Sequence, residues 1–209
     1  RSDPRHAQFR PDELDVLVAE ATAAGRFVMA HAQGTQGVKN AIAAGIRSIE
    51  HGIFLDEEAI EMMLAAGTYL VPTLIAPMGV LEAVERGVDL PDNVVSKARD
   101  VSQIHRDSVS RAIAAGVRIA MGTDSGVTRH GDNLRELAEM ASLGMSDAQV
   151  LRSSTVIAAD LLGVTDDFGT LQPGKVADLV IWEGGSLDVR DMRSRISTVI
   201  QDGSIVVSH

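Results

Sequence analysis

The sequence predicts an α/β protein: the second half of a (β/α)8 TIM barrel, followed by a small sheet. An Ala-Ala-Gly tripeptide recurs at residues 23–25, 43–45, 65–67 and 114–116, and each copy closes a helix-like stretch that precedes a strand-like one. Alternating helices and strands of this kind imply a parallel sheet with right-handed crossovers. From residue 169 onward the apolar residues recur with a period of two, which is typical of antiparallel strands.

The first two units have clear boundaries. Pro11 and the acids that follow it predict a helix start, and Gly25 predicts its end. An almost wholly apolar strand over 26–30 follows, as expected of a buried parallel strand. The second unit has a helix that ends at Gly45 and a strand over 46–50.

The next two units repeat the pattern. A helix from Asp56 to Gly67 leads to a strand over 69–74, and a long helical segment of roughly 91–115 leads to a strand over 117–121. Four units are too few for an eight-fold barrel, and an open half-barrel would expose two unpaired edges. We therefore expect a first half that is absent from this chain, lost by cleavage or supplied by another chain.

The remainder predicts three short helices and a small sheet. The helices begin near Leu134, Ser146 and Thr155. One strand is expected over 177–182, and a hairpin joins 196–201 to 204–208 across an Asp-Gly turn, a favoured tight turn. We expect the domains to divide at residue 168, with the barrel half over 1–168 and the strands of the small sheet over 169–209.

Composition restricts the possible functions. The chain has 209 residues, a net charge of -10 and no Cys. The acidic balance argues against nucleic-acid binding, and no apolar run approaches a membrane span. Without Cys, any metal is held by His and carboxylates. We expect a cytoplasmic protein, although the chain opens on Arg1 rather than Met, which leaves an upstream segment open.

Three side chains stand at the carboxyl ends of predicted strands, where α/β barrels carry out chemistry. His31 and His51 follow two neighbouring strands, and Asp124 follows the last one. A single such His is more often a core residue, and Asp124 alone fits a turn-stabilising motif. The shared position of all three favours a divalent metal site, with Asp124 also accepting the proton of the attacking water.

Other polar residues have weaker assignments. His130, in the loop after Asp124, either contacts substrate or a metal ligand, or is a solvated loop residue. Glu50 either supports a ligand from behind or forms an ion pair outside the barrel, and strand alternation favours the outside position. His105 lies within a helix and is expected to be structural, whereas His6 and His209 are expected to be solvated.

Several motifs resemble those of the metal-dependent amidohydrolase superfamily, in its imidazolonepropionase-related and prolidase-like dipeptidase branch. They are Ala-His-Ala at 30–32, Ser-Ile-Glu-His-Gly at 48–52, Val-Pro-Thr-Leu at 71–74, Gly-Thr-Asp-Ser-Gly at 122–126 and the closing segment 169–182. The resemblance implies that His31 and His51 are metal ligands from barrel strands five and six. It implies that Asp124 is the ligand and proton shuttle from strand eight. The four barrel units would then be strands five to eight, and residues 169–209 would be strands of a small β-sandwich.

The resemblance also implies an HxH pair on strand one and a carboxylated lysine that bridges two metals. No HxH occurs in this sequence, and none of its three lysines, Lys39, Lys97 and Lys175, ends a predicted barrel strand. This departure agrees with the count of units, which places the missing ligands in the first half of a barrel.

The predicted function is hydrolysis of an amide or peptide-like C–N bond by metal-activated water, with one or two divalent ions, expected to be zinc. The expected partners are a small-molecule or dipeptide substrate and the missing half of the barrel, with a homo-oligomer left open. The alternatives are a deaminase or cyclic-amide hydrolase on the same scaffold, a non-catalytic fragment with an incomplete metal site, and, more weakly, a phosphotriesterase.

Overall fold

A computed structural model of the chain describes residues 3–208, except the side chains of residues 92, 93 and 97. The helices, in chain order, are α1 (Pro11–Ala23), α2 (Thr35–Ala43), α3 (Glu57–Ala66), α4 (Ile75–Glu85), α5 (Asp92–Ala115), α6 (Leu134–Ser142), α7 (Asp147–Ser154), α8 (Val156–Leu162) and α9 (Met192–Arg195). The strands are β1 (Met29–Ala32), β2 (Ser48–His51), β3 (Tyr69–Val71), β4 (Arg118–Ile119), β5 (Leu179–Trp182), β6 (Ile196–Gln201) and β7 (Ser204–Ser208).

The first four strands form one parallel sheet in the order β1-β2-β3-β4. This confirms the α/β class and the four successive units. The strands are shorter and lie later than predicted at the first two positions, because β1 begins at Met29 and β2 at Ser48. As a result His31 and His51 lie within their strands, at the carboxyl ends, rather than after them.

The main hydrophobic core lies between one face of this sheet and the helices. Ile49, Leu70 and Ile119, from three successive strands, are at most 3% exposed and belong to one cluster of buried side chains. Helices contribute Val38, Met63 and further residues to the same cluster. Burial of large aliphatic side chains of this kind stabilises a fold by about 1.5–3 kcal/mol for each side chain, so this layer fixes the position of the strand ends.

The opposite face of the sheet is only partly covered. Tyr69, Val71 and Ala120 are buried against Ile157 and Leu161 of α8. At β1 the cover is absent within the described chain: Phe27 just before it is 62% exposed and Met29 is 66% exposed. Large apolar side chains are rarely left in water in a contiguous patch unless something binds there.

Arg47 fastens α8 to the amino-terminal end of the sheet. Its guanidinium donates to the main-chain oxygens of Leu161 at 2.8 Å and Asp160 at 2.5 Å, and it lies 3.9 Å from the centre of the Phe27 ring. The Tyr69 hydroxyl donates to the Asp160 carboxylate at 2.7 Å. This end of the sheet is therefore occupied by structural contacts, which leaves the carboxyl end for function.

Helix α4 is an element that the sequence patterns missed. Pro77 and Gly79 inside it argue against a helix, but Pro77 lies in the first turn, where its missing N–H has no partner to lose. The short helix α9 was also not predicted.

Strands β5, β6 and β7 form a separate antiparallel sheet in that order. The predicted hairpin is confirmed: β6 ends at Gln201 and β7 begins at Ser204, as the sequence predicted. The whole of this sheet lies after residue 168, although the division into domains at that point stays a prediction. No helix within residues 3–208 is both long and apolar enough to cross a membrane.

Candidate active site

A cavity of about 660 Å³ opens at the carboxyl ends of the parallel strands. His31, His51 and Asp124 all line it, so the structure brings these three predicted site residues to one place. They come from three different units of the chain. Their common position follows from the parallel sheet, because the carboxyl ends of parallel strands meet at one edge.

The two histidine rings touch. Their centres are 4.6 Å apart, and the rings meet edge to face at 72°. In the sheet His31 is paired with Glu50, so regular alternation would turn His51 to the other face. His51 instead has a φ of 75°, a left-handed conformation that breaks the alternation and brings its ring to His31.

His51 is held at both its ring and its main chain. Nδ1 lies 2.7 Å from the Thr73 hydroxyl, and the main-chain oxygen accepts a hydrogen bond of 2.9 Å from Nε2 of His105. Burial lowers the pKa of His51, the nearby His31 lowers it further, and the Asp124 carboxylate opposes both. A ring with a lowered pKa stays neutral near pH 7, the form in which imidazole binds metals.

His105 is 1% exposed within α5, and its helix position predicted a structural role. Burial lowers its pKa to about 4. The sequence patterns did not reveal that its partner is the main chain of a proposed ligand, because the two residues lie on different units. His6 is exposed, as expected, and His209 lies outside the described residues.

Glu50 differs from the expectation that it points outside the barrel. Its carboxylate accepts a 2.7 Å hydrogen bond from the Ser48 hydroxyl, two residues earlier on the same face of β2. Burial raises the pKa of Glu50, the Ser48 bond opposes this, and the Asp124 charge raises it further. The negative charge of Asp124 therefore acts on Glu50. The expectation from strand alternation was wrong because His51, not Glu50, leaves the regular strand pattern.

Asp124 is exposed on the loop after β4, with a φ of 52°. Its main-chain oxygen accepts from Val127, and Gly126 donates to Thr128, so the segment folds back as a tight turn. The carboxylate is thus presented at the cavity mouth by an ordered loop. His130 is exposed further along that loop and does not line the cavity, so its substrate contact stays a prediction.

A buried carboxylate lies behind the site. Glu136 of α6 is fully buried and accepts hydrogen bonds from the N–H groups of Leu74 at 2.8 Å and Ile75 at 3.0 Å, which open α4. Burial raises its pKa to about 8, although the two N–H donors oppose the shift. The sequence patterns did not reveal this role, because Glu136 has an ordinary helical context.

One wall of the cavity is apolar. Helices α4 and α5 supply it with small side chains, namely Ala76, Pro77, Val80, Val94, Ala98 and Val101. Among the described side chains that line the cavity there is no Lys or Arg, and Asp124 is the one carboxylate. The cavity therefore combines a polar end with an apolar wall, as small-molecule sites usually do.

The residues present fit part of a divalent-metal site. Two imidazoles and a carboxylate are suitable donors for zinc and related ions. However, no three His, Cys, Asp or Glu side chains described by the structure are grouped so as to hold a metal ion. On this chain the donor set is therefore partial, in agreement with the ligands that the sequence lacks.

The fold and the site define an α/β protein with metal-competent side chains at the carboxyl ends of parallel strands. Residues 2–207 match the model of the amidohydrolase family, and the chain belongs to that family. It is 33% identical to ochratoxinase of Aspergillus niger over 190 residues. This match covers 89% of this chain and 38% of ochratoxinase.

Two further similarities agree with this assignment. The chain is 30% identical over 181 residues to imidazolonepropionase of Maricaulis maris strain MCS10, covering 84% of this chain and 40% of that protein. A solved Xaa-Pro dipeptidase with methionine bound in its active site superimposes with a TM-score of 0.87 at 38% identity, covering 97% of this chain and 50% of the solved chain. The chain spans half or less of the length of each of these relatives.

Proposed function

We propose that this chain forms part of a metal-dependent hydrolase that cleaves an amide or peptide-like C–N bond. The observation that carries the proposal is the ring contact between His31 and His51 in the cavity that Asp124 also lines. In the proposal His31, His51 and Asp124 hold a divalent ion, with zinc as the preferred candidate. Names among the relatives, ochratoxinase and Xaa-Pro dipeptidase, support a substrate of this kind.

The chemistry follows from the side chains. A divalent ion, when bound, supplies hydroxide near neutral pH and polarises a carbonyl group. Asp124 accepts the proton of the attacking water, because its exposed carboxylate stands at the mouth on an ordered loop, and then passes the proton to the leaving nitrogen. The rings of His31 and His51 lie at one edge of the cavity, where each can offer a ring nitrogen to the ion.

We further propose that the four-stranded sheet is the second half of a barrel, with strands five to eight in β1 to β4. The uncovered apolar residues beside β1 and the partial donor set support this. The match to half or less of each relative supports it as well. The other half of the barrel would cover Phe27 and Met29 and supply the remaining donors.

The apolar wall indicates which part of a substrate the chain would bind. Side chains of α4 and α5 suit an aliphatic or aromatic group beside the scissile bond. Both an N-acyl amino acid and a dipeptide with an apolar side chain meet this description. We propose that His130 contacts the part of a bound substrate that extends out of the cavity.

The test is hydrolysis by the protein joined to the other barrel half and supplied with Zn²⁺. The panel contains apolar dipeptides, N-acyl amino acids, a cyclic amide and an aminopurine as the deaminase substrate. We expect turnover of the first two groups, and Asp124→Asn should reduce kcat by about 100-fold or more because the proton acceptor is lost.

Asp166→Asn is the matched control, since this exposed carboxylate lies outside the cavity. Unchanged kcat in Asp124→Asn would remove Asp124 from the mechanism. Turnover confined to the cyclic amide or the aminopurine would favour the alternative reactions, and absence of both turnover and bound metal would favour a non-catalytic role.

A further inference from the structure

The first turn of α4 is capped by a residue from another helix. The N–H groups at the start of an α-helix have no partner within the helix, and Leu74, at the N-cap position, has a side chain without an acceptor. Leu74 and Ile75 are 3% and 0% exposed, so water has little access to their N–H groups. The carboxyl oxygens of Glu136 in α6 accept from both groups, at 2.8 Å and 3.0 Å. Glu136 therefore takes the place of a local cap.

Helix α6 holds α4 at a second point. Arg135, the residue before Glu136, donates from its guanidinium to both oxygens of the Glu82 carboxylate, one of them at 3.1 Å. Glu82 lies about two turns after the start of α4. Both side chains of this ion pair are about one-third exposed, and partly exposed pairs contribute little to stability. The buried Glu136 is therefore the stronger of the two attachments.

The residues just after the cap form part of the apolar wall. Ala76 and Pro77 follow the capped residues directly, Val80 lies one turn further along, and all three line the cavity of the candidate site. A change at the cap moves these side chains, because they belong to the same rigid first turns. Discrimination in an apolar pocket depends on close contact, since one methylene group changes kcat/KM by about 10–200-fold. Glu136 can therefore affect the wall without lining the cavity itself.

We propose that Glu136 is a positioning residue for substrate selectivity: it fixes the first turn of α4 and so sets how closely the apolar wall approaches a bound substrate. The selectivity rests on the function proposed above. The attachment of α4 does not, because it depends on contacts within this chain alone. Two measurements test the two parts separately.

The first measurement is hydrogen exchange of the Leu74 and Ile75 amides, resolved by NMR. Both amides should be protected in the wild type. Glu136→Gln should speed their exchange by about 10-fold or more relative to the Ala120 amide, because a carboxyl group offers two oxygen acceptors and a carboxamide only one. Ala120 is the reference because its N–H donates to the adjacent strand β3 at 3.0 Å. Glu20→Gln, an exposed change in α1, is the control and should leave all three amides unchanged.

The second measurement is the selectivity of the protein joined to the other barrel half and supplied with Zn²⁺. It compares kcat/KM for a leucine substrate and its alanine counterpart, as N-acetyl-leucine with N-acetyl-alanine and as Leu-Pro with Ala-Pro. Glu136→Gln should lower the leucine-to-alanine ratio by about 5-fold or more, and Val80→Ala, which shortens the wall directly, should lower it as well. A smaller folded fraction or a weaker metal site changes both substrates equally, so the ratio reports on the wall.

The outcomes separate the two parts of the proposal. Unprotected Leu74 and Ile75 amides in the wild type, or equal exchange in Glu136→Gln, would overturn the attachment. Faster exchange with an unchanged ratio would overturn the selectivity role. Absence of turnover in the wild type would count against the hydrolase and the selectivity role together, while the exchange data would still decide the attachment.

Thermal unfolding of each variant, followed by circular dichroism, identifies a variant that has lost its fold. If Glu136→Gln is such a variant, Glu136→Asp decides in its place. Asp keeps the carboxyl group but is one methylene shorter, so its oxygens lie further from the two N–H groups. We expect the same direction of change in amide exchange and in the substrate ratio, and wild-type values of both would overturn the proposal.

Discussion

At the scale of single residues, the main-chain conformation of His51 determines how the site is assembled. Regular alternation along β2 would place Glu50 at the open face and His51 behind it. The left-handed φ at His51 brings its ring into contact with His31 while Glu50 keeps its place beside Ser48. One residue that leaves the strand pattern therefore gives the cavity both an imidazole pair and a nearby carboxyl group.

Glu136 allows a pH-dependent test at the same scale. Its folded-state pKa is about 8, above the ordinary value of 4.5, because it is buried. Between these pH values the folded state binds more protons than the unfolded state. The contribution of Glu136 to the free energy of unfolding therefore falls as pH rises. Where the carboxyl is protonated only in the folded state, the slope is about 1.4 kcal/mol per pH unit.

We expect Glu136→Gln to lose this slope, because the amide does not titrate. The measurement is urea unfolding of both proteins at several pH values between about 5 and 8, with Glu20→Gln, an exposed change in α1, as the control. If the difference in unfolding free energy between wild type and Glu136→Gln were independent of pH, the carboxylate would be ionised throughout. The N–H groups of Leu74 and Ile75 would then outweigh burial.

At the scale of elements, α4 connects the apolar wall to the loop that carries Asp124. A side-chain carbon added at Gly79 would lie 2.9 Å from the main-chain oxygen of Val127 and 3.0 Å from the Thr128 methyl group. The helix therefore lies directly against this loop, and the absence of a side chain at Gly79 permits the approach. Gly79 therefore weakens the sequence signal for helix α4 and also allows α4 to pack against the loop.

Gly79→Ala should accordingly destabilise the protein, although alanine favours a helix over glycine by about 1 kcal/mol. The clash with a main-chain oxygen should cost about 1–3 kcal/mol, which leaves a net loss of up to about 2 kcal/mol. Gly37→Ala in α2 is the matched control, since its added carbon would meet nothing closer than 3.8 Å and should stabilise the protein. The midpoints of urea unfolding decide, and a rise in both variants would contradict close packing of α4 on the loop.

At the scale of the whole molecule, the sequence predicted the features that repeat and missed those that depend on contacts between units. The Ala-Ala-Gly repeats and apolar strands predicted the four-stranded parallel sheet, and the Asp-Gly turn predicted the β6–β7 hairpin. Helix α4 and the roles of His105 and Glu136 were missed, because helix packing on distant loops and bonds to main-chain atoms leave no periodic pattern in a single sequence. The residues at the strand ends could be found because parallel topology alone places them together.

The central claim is that His31, His51 and Asp124, from three separate units, converge on one divalent ion. The most direct measurement is zinc X-ray absorption of the protein loaded with one equivalent of Zn²⁺, in the wild type and in His31→Asn and His51→Asn. We predict imidazole scattering at about 2.0–2.1 Å in the wild type, with the loss of one imidazole in each variant. A coordination shell that is the same in all three proteins would contradict the claim.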